Sequence, residues 1–174
     1  MEKFYGRPDS IKKLGISFTI SVLLALVSYI FITNGILKTV LLIIFITFAW
    51  QFYKGLILSI TVDEQKIRIY KPFNVRTIKF DDIAFCAVHG IDEDTMLMYA
   101  FTRKRGLKGD RVRGIKSKKS FDEIVKLISE DEGNTDLDIN FNMASKIQVS
   151  FVEHSDILKC KILDTVHERH IKRV

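Results

Sequence analysis

Two apolar runs stand side by side near the start of the chain. Leu14 to Thr33 holds twenty residues without a charge, and Ile36 to Tyr53 follows after Asn34-Gly35 with Lys38 as its one charge. At about 1.5 Å per residue, a helix over the first run spans the roughly 30 Å hydrocarbon core of a bilayer. The pair predicts a transmembrane helical hairpin over residues 14–54, with spans 14–33 and 36–53. A buried hairpin in a soluble core would need far more chain to cover it, and the remainder is rich in charge. A cleaved signal peptide has a shorter apolar stretch, and no second run of membrane length follows it at once.

Beyond Gly55 the pattern changes to short alternating segments. Leu56–Val62, Lys66–Tyr70, Val75–Phe80, Ala84–Val88 and Thr95–Thr102 read as strands, separated by polar turns such as Asp63-Glu64-Gln65 and the acidic loop Gly90–Asp94. Their close spacing predicts an antiparallel meander. Ser120-Phe121-Asp122-Glu123 is a capping box, and Phe121, Ile124, Val125, Leu127 and Ile128 form one apolar stripe, which predicts a helix over 121–130. Alternation resumes in Asp136–Met143, in Lys146–Val152 and in Ile157–Leu163, with Glu153–Asp156 as a hairpin loop. For the last segment a helix from Ser155 to Val166 competes with the strand. The expected fold class is therefore an α+β membrane protein. A basic N-terminus (1–13) leads to the hairpin (14–54), then a β domain with one capped amphipathic helix (55–132), then a β-rich C-terminal extension with a basic tail (133–174).

Charge sets the expected orientation. Lys3, Arg7, Lys12 and Lys13 precede the first run and Lys54 ends the second, so the positive-inside rule puts both termini in the cytoplasm and makes the chain a multi-pass cell-membrane protein. Trp50, Phe52 and Tyr53 fall where amphipathic rings favour the headgroup layer. The chain carries 27 Lys+Arg against 21 Asp+Glu, a formal net charge of +6, which favours a position beside an anionic leaflet. Two cysteines, Cys86 and Cys160, are too few for a disulfide framework and fit reduced thiols in a reducing compartment.

The run Ile57–Ile83, ILSITVDEQKIRIYKPFNVRTIKFDDI, with its Ile-x-Phe-Asp-Asp-Ile segment, and the closing SFDEIVKLI resemble the bacterial pleckstrin-homology-like family of small membrane proteins. The resemblance covers roughly Leu56 to Glu130. It implies a partly open β-barrel, or two packed sheets closed by a helix, held at the cytoplasmic face. It further implies a binding or scaffolding module, some members having been proposed to protect membranes against peptide bacteriocins. The chain departs from the family pattern after Glu130, where some forty further residues could extend the sheet or add a layer.

Candidate chemistry concentrates in Arg103–Lys119, where nine basic residues meet one acid, Asp110. Arg103, Lys104, Arg105, Lys108, Arg111, Arg113, Lys116, Lys118 and Lys119 form a candidate patch for an anionic ligand, either lipid headgroups or an acidic protein partner, as against a merely solvated hairpin. Nucleic acid is disfavoured, since the run lacks interleaved aromatics and a recognition helix. Phosphoinositide specificity is not expected, because the turn after the first strand of the meander is Asp63-Glu64-Gln65. Cys86-Ala-Val-His89 and His167-Glu-Arg-His170 could in principle supply zinc ligands, but they match no paired-ligand motif and read as a buried thiol and surface histidines. No nucleophile elbow, phosphate loop or metalloprotease motif occurs, and the acidic pair Asp81-Asp82 and the acidic loop Asp92-Glu93-Asp94 read as turns and solvated loops. No catalytic residue, metal or cofactor is expected. The expected function is a non-enzymatic, membrane-anchored binding or regulatory module. The alternative is an accessory subunit of a transporter or envelope-synthesis complex acting through its helices, for which Ser17, Ser21, Ala25 and Ser28 form a stripe of small residues.

Overall fold

The computed structural model describes residues 1–90, 96–106, 109–130 and 137–171. The basic N-terminal segment contains a strand, β1 (Glu2–Tyr5), whose Phe4 turns inward while its neighbours face out. Pro8 then opens α1 (Pro8–Phe31), since its fixed φ and missing N–H suit the first helical turn. A second helix, α2 (Gly35–Gly55), follows the turn, and the Asn34 side chain caps it by accepting from Ile36 N and Leu37 N, both at 3.1 Å. Both helices are long and apolar enough to span a membrane, and the apolar windows of α1 and α2 are only 11% and 6% buried. Helices from the core of a soluble domain would be covered. The few buried residues of the hairpin are small, Ser21, Ala25 and Ser28 on α1 and Ala49 and Gly55 on α2, which lets two backbones approach closely.

The expected meander is present, as two antiparallel sheets. The first has the order β1-β2-β3-β4, adding β2 (Ser59–Val62), β3 (Lys66–Lys71) and β4 (Asn74–Lys79). Its first strand lies before the helices. Tyr5 pairs with Ser59 and Phe4 with Ile60, and Gly6 N donates to Leu58 O at 2.9 Å. The helical hairpin is therefore the connection between two adjacent strands of one sheet. The second sheet contains β5 (Ile83–His89), β6 (Leu97–Lys104) and β7 (Arg111–Val112), and β8 (Ser145–Ile147) pairs with β6 beyond the stretch that β7 occupies.

Strand alternation divides the core in two. Met98 and Ala100 of β6 join Ile60, Ile67, Ile69 and Ile78 of the first sheet, while Phe101 faces away toward Phe121, Ile124 and Val125 of α3 (Phe121–Glu130). A register shift between Ile83 and Phe85 puts Ala84 and Phe85 together on the α3 side. Ile67 and Met98 are fully buried, each contributing about 1.5–3 kcal/mol relative to an exposed side chain. The capping box of α3 forms as expected: Ser120 N donates to Glu123 Oε2 at 2.6 Å and Glu123 N donates to Ser120 Oγ at 3.3 Å.

The C-terminal region departs most from expectation. The strand expected over 136–143 is reduced to a bridge between Ile139 and Ile115 followed by a 3₁₀ turn at Phe141–Met143; Asp136 lies outside the described residues. Lys146–Val152 gives the short β8 and a second 3₁₀ turn, Val149–Phe151. Ile157–Leu163 is not a strand. It belongs to α4 (Ser155–Ile171), so Glu153–Asp156 leads into a helix through His154 at φ 55° instead of closing a hairpin. Leu158, Ile162 and Val166 bury one face of α4 in the core shared by both sheets, at the i, i+4 spacing of a helix. The C-terminal region therefore adds one short strand, β8, to the second sheet and a helix, α4, that closes the two sheets.

Candidate functional site

The predicted basic patch is split by the fold. Lys108 lies outside the described residues. Arg103 is not an exposed ligand but a structural hub. Its Nη1 donates to Asp110 Oδ2 at 3.0 Å, its Nη2 lies 3.7 Å from Asp122 Oδ1, and its Nε lies 4.0 Å from Asp82 Oδ1. Its guanidinium also sits 4.1 Å above the Phe121 ring, so it ties the β6 end to the start of α3. Lys116 pairs with Asp138 at 3.3 Å. Lys104, Arg105, Arg111, Arg113, Lys118 and Lys119 are exposed. The close packing of Gly114, at φ +89° with a Cβ position only 2.8 Å from Asn140 O, fixes the return of this segment along β6.

The end of β6 that carries Arg103 lies away from the helical hairpin. Arg103 contacts Asp82, whose neighbour Asp81 receives Arg169 at 2.8 Å near the end of α4. The other end of α4 adjoins Glu153, whose N–H donates to Tyr5 O at 2.8 Å at the foot of the hairpin. From Ser155 to Arg169 a helix covers about 20 Å. Lys104 and Arg105 are thus at the end of the domain opposite the hairpin.

A different set of cations sits at the hairpin itself. Lys71, at the end of β3, donates through Nζ to Lys54 O at the end of α2, and lies 5.6 Å from the centre of the Tyr53 ring. Lys54 Nζ stands 5.3 Å from the centre of the Trp50 ring. Arg76 of β4 donates to Ser145 Oγ at 2.8 Å and to Lys146 O at 3.4 Å. Partial burial lowers the Lys71 pKa, and the charges of Arg76 and Lys54 lower it further. Burial also lowers that of Arg76, with Arg113 adding to the effect. Among the described residues, no carboxylate forms an ion pair with Lys54, Lys71 or Arg76. Arg113 returns beside the end of β6, its N–H donating to Thr102 O at 2.8 Å.

Beside these cations, α1 and α2 leave a groove of about 660 Å³ whose walls include Phe18, Val22, Leu26, Ile46, Trp50 and Tyr53. Phe73, 80% exposed at the β3–β4 turn, stacks on Tyr53 at 6.2 Å and closes its foot. Lys71 and Arg76 were not among the expected site residues, and Lys54 served only as a positive flank, because β-pairing, not sequence proximity, assembles the three. The signal that could have found them is Lys71-Pro72-Phe73, a cation and an aromatic in a turn, read beside Trp50 and Tyr53. Of the small residues on α1, Ser21, Ala25 and Ser28 are buried and Ser17 is half-buried.

On the opposite side, α4 and the far end of the first sheet enclose a groove lined by Glu2, Glu64, Asp81, Asp164 and Glu168. Lys161–Glu2 at 2.5 Å and Arg169–Asp81 cross it and hold α4 to the sheet. Among the described residues no group of three or more His, Cys, Asp and Glu side chains is placed to hold a metal ion. His170 is buried, not a surface residue, with Nε2 3.4 Å from Ile83 O. Cys86 packs against the core, and burial pushes its thiol up to about 12. No family model matches the chain, nor does any curated protein or solved structure.

Proposed function

We propose that the chain is a non-catalytic, membrane-anchored binding module. In this reading a pleckstrin-homology-like pair of sheets is held against the cytoplasmic face of the cell membrane by the helical hairpin, where it engages anionic lipid, a peptide or a membrane protein. The observation that carries the reading is the β1–β2 ladder, which closes across the whole hairpin. Because both strands leave the hairpin into one sheet, a membrane-crossing hairpin obliges the N-terminal strand and the rest of the domain to share a side. The uncovered apolar faces of α1 and α2, the cations Arg7, Lys12, Lys13 and Lys54 at their inner ends, and the Trp50–Tyr53–Phe73 stack at one level all support it. Two antiparallel sheets and a capped helix agree with the family resemblance.

Cys160 is exposed on α4 and offers a direct test. Full-length protein expressed in cells should stay with the membrane pellet through an alkaline carbonate wash. Cys160 should then react with a membrane-impermeant maleimide only after the cells are permeabilised. Extraction by carbonate, or labelling in intact cells, would refute the assignment.

A further inference from the structure

Three features meet at the foot of the hairpin: an apolar groove, an aromatic collar and a cluster of cations. The groove runs along α1 from Phe18 to Tyr29 and along α2 from Tyr53 to Leu42. Eleven residues of helix cover about 16 Å, close to half of a roughly 30 Å hydrocarbon core. The groove's volume of about 660 Å³ lies within the roughly 300–1,000 Å³ typical of sites for small ligands.

The groove does not end in solvent-exposed hydrocarbon. Trp50 and Tyr53 line its wall, and each ring carries a lysine over it, Lys54 at 5.3 Å and Lys71 at 5.6 Å. Arg76 stands opposite Ile69 in the β3–β4 ladder, two positions from Lys71 on the same face of the sheet. Like charges so gathered repel one another, and among the described residues no acidic side chain pairs with any of the three. Holding them together is favourable when an anion sits between them. An apolar slot between two helices that opens onto unneutralised cations is complementary to one kind of molecule, an acyl chain bearing an anionic head.

We infer that the α1–α2 groove and the Lys54–Lys71–Arg76 cluster form a single site for an anionic phospholipid, with one acyl chain along the groove and the phosphate among the cations. The inference rests on the reading of the hairpin as membrane-spanning. It differs from a general attraction between a basic surface and an acidic leaflet, because it fixes the ligand's two ends on named residues. The distant cations Lys104 and Arg105 take no part.

Trp50 is the chain's one tryptophan, so its fluorescence reports on the groove directly. Full-length protein would be reconstituted into two kinds of vesicle. One carries phosphatidylglycerol with brominated chains in an unlabelled phosphatidylcholine background; the other places the bromine on phosphatidylcholine at the same mole fraction. The site predicts stronger quenching by the brominated anionic lipid. That preference should fall about fivefold for each cation neutralised. Lys71→Gln alone should weaken it, the triple K54Q/K71Q/R76Q should abolish it, and Lys104→Gln with Arg105→Gln should leave it intact. Lys71→Arg should retain it, which separates lost charge from lost folding. Equal quenching by both lipids in the unaltered protein would overturn the lipid site while leaving the hairpin in the membrane. Absence of quenching by either lipid would overturn the membrane reading itself, and the inference with it.

Discussion

Tyr5 stands opposite Ser59 in the β1–β2 ladder although the whole helical hairpin separates them in sequence. The pairing closes the hairpin at its base, and Gly6 is the residue that permits it. A Cβ at position 6 would run into the Ile57 carbonyl oxygen and approach Ile11 Cδ1 to 2.9 Å. Gly6→Ala should therefore lower stability by about 1–3 kcal/mol, the usual cost of forcing atoms into a packed site. Gly15, within α1, has nothing within 4 Å of its Cβ position. Gly15→Ala should be neutral or stabilising by up to about 1 kcal/mol. Thermal melts of the two variants in the same detergent check the contrast; equal melting temperatures would contradict the closed base.

Arg103 gathers Asp82, Asp110 and Asp122 around one guanidinium, with Phe121 beneath it. Removing the charge leaves three carboxylates facing one another. Arg103→Gln should cost about 1–3 kcal/mol, in the range for hydrogen bonds to charged groups and below that of a fully buried pair. Arg103→Lys should recover only part of the loss, since an ammonium cannot reproduce the planar fork. Arg105→Gln, on an exposed side chain, should change stability by less than about 0.5 kcal/mol. Urea denaturation of each variant supplies the comparison, and matching midpoints for Arg103→Gln and Arg105→Gln would remove Arg103 from its structural role.

What the sequence could disclose depended on how far apart the interacting parts lie. The apolar helices, the meander and the Ser120 capping box were legible because each is decided within about a dozen residues. β1 was not, because Glu2–Tyr5 has no strand signal apart from its partner Ser59–Val62, which lies beyond both helices. The last segment failed for another reason. In Ile157–Leu163, Leu158 and Ile162 fall on one face under a period of 2 and also under a period of 3.6, so the pattern alone could not choose. Val166 and His170, which continue the helical spacing into the core, decide it. The candidate site was legible as composition but not as place. A run of nine basic residues announces itself, whereas Lys54, Lys71 and Arg76 become neighbours only once the chain has folded.

Glu123 makes the pH dependence of α3 specific. Hydrogen bonds from the Ser120 backbone N–H and then its hydroxyl hold the Glu123 carboxyl below its ordinary value of 4.5. A carboxyl depressed in the folded state stabilises fully above its unfolded pKa, and that contribution is lost as pH falls through the folded value. The Ser120 amide proton shift, followed by NMR during acid titration, should move with a midpoint below 4.5. In Glu123→Gln the transition should disappear. Ser120→Ala should cost about 1 kcal/mol as a lost helix cap. A midpoint at or above 4.5 would mean that the capping box does not persist in solution.

The two cysteines distinguish a helix from a strand at the C-terminus. A strand over Ile157–Leu163 would turn Cys160 inward with Leu158 and Ile162, whereas α4 buries Leu158 and Ile162 and leaves Cys160 exposed. In folded full-length protein, Cys160 should react readily with a maleimide at neutral pH. Cys86, with its thiol pushed up to about 12 by burial, should stay protected until the domain unfolds, since only the thiolate is nucleophilic. Ile162→Ala should cost about 2–5 kcal/mol as a cavity in the shared core, and Ile157→Ala, 58% exposed, much less. If Cys160 resisted labelling as strongly as Cys86, and Ile157→Ala proved as damaging as Ile162→Ala, the helical assignment of α4 and the closure of the two sheets by it would both be wrong.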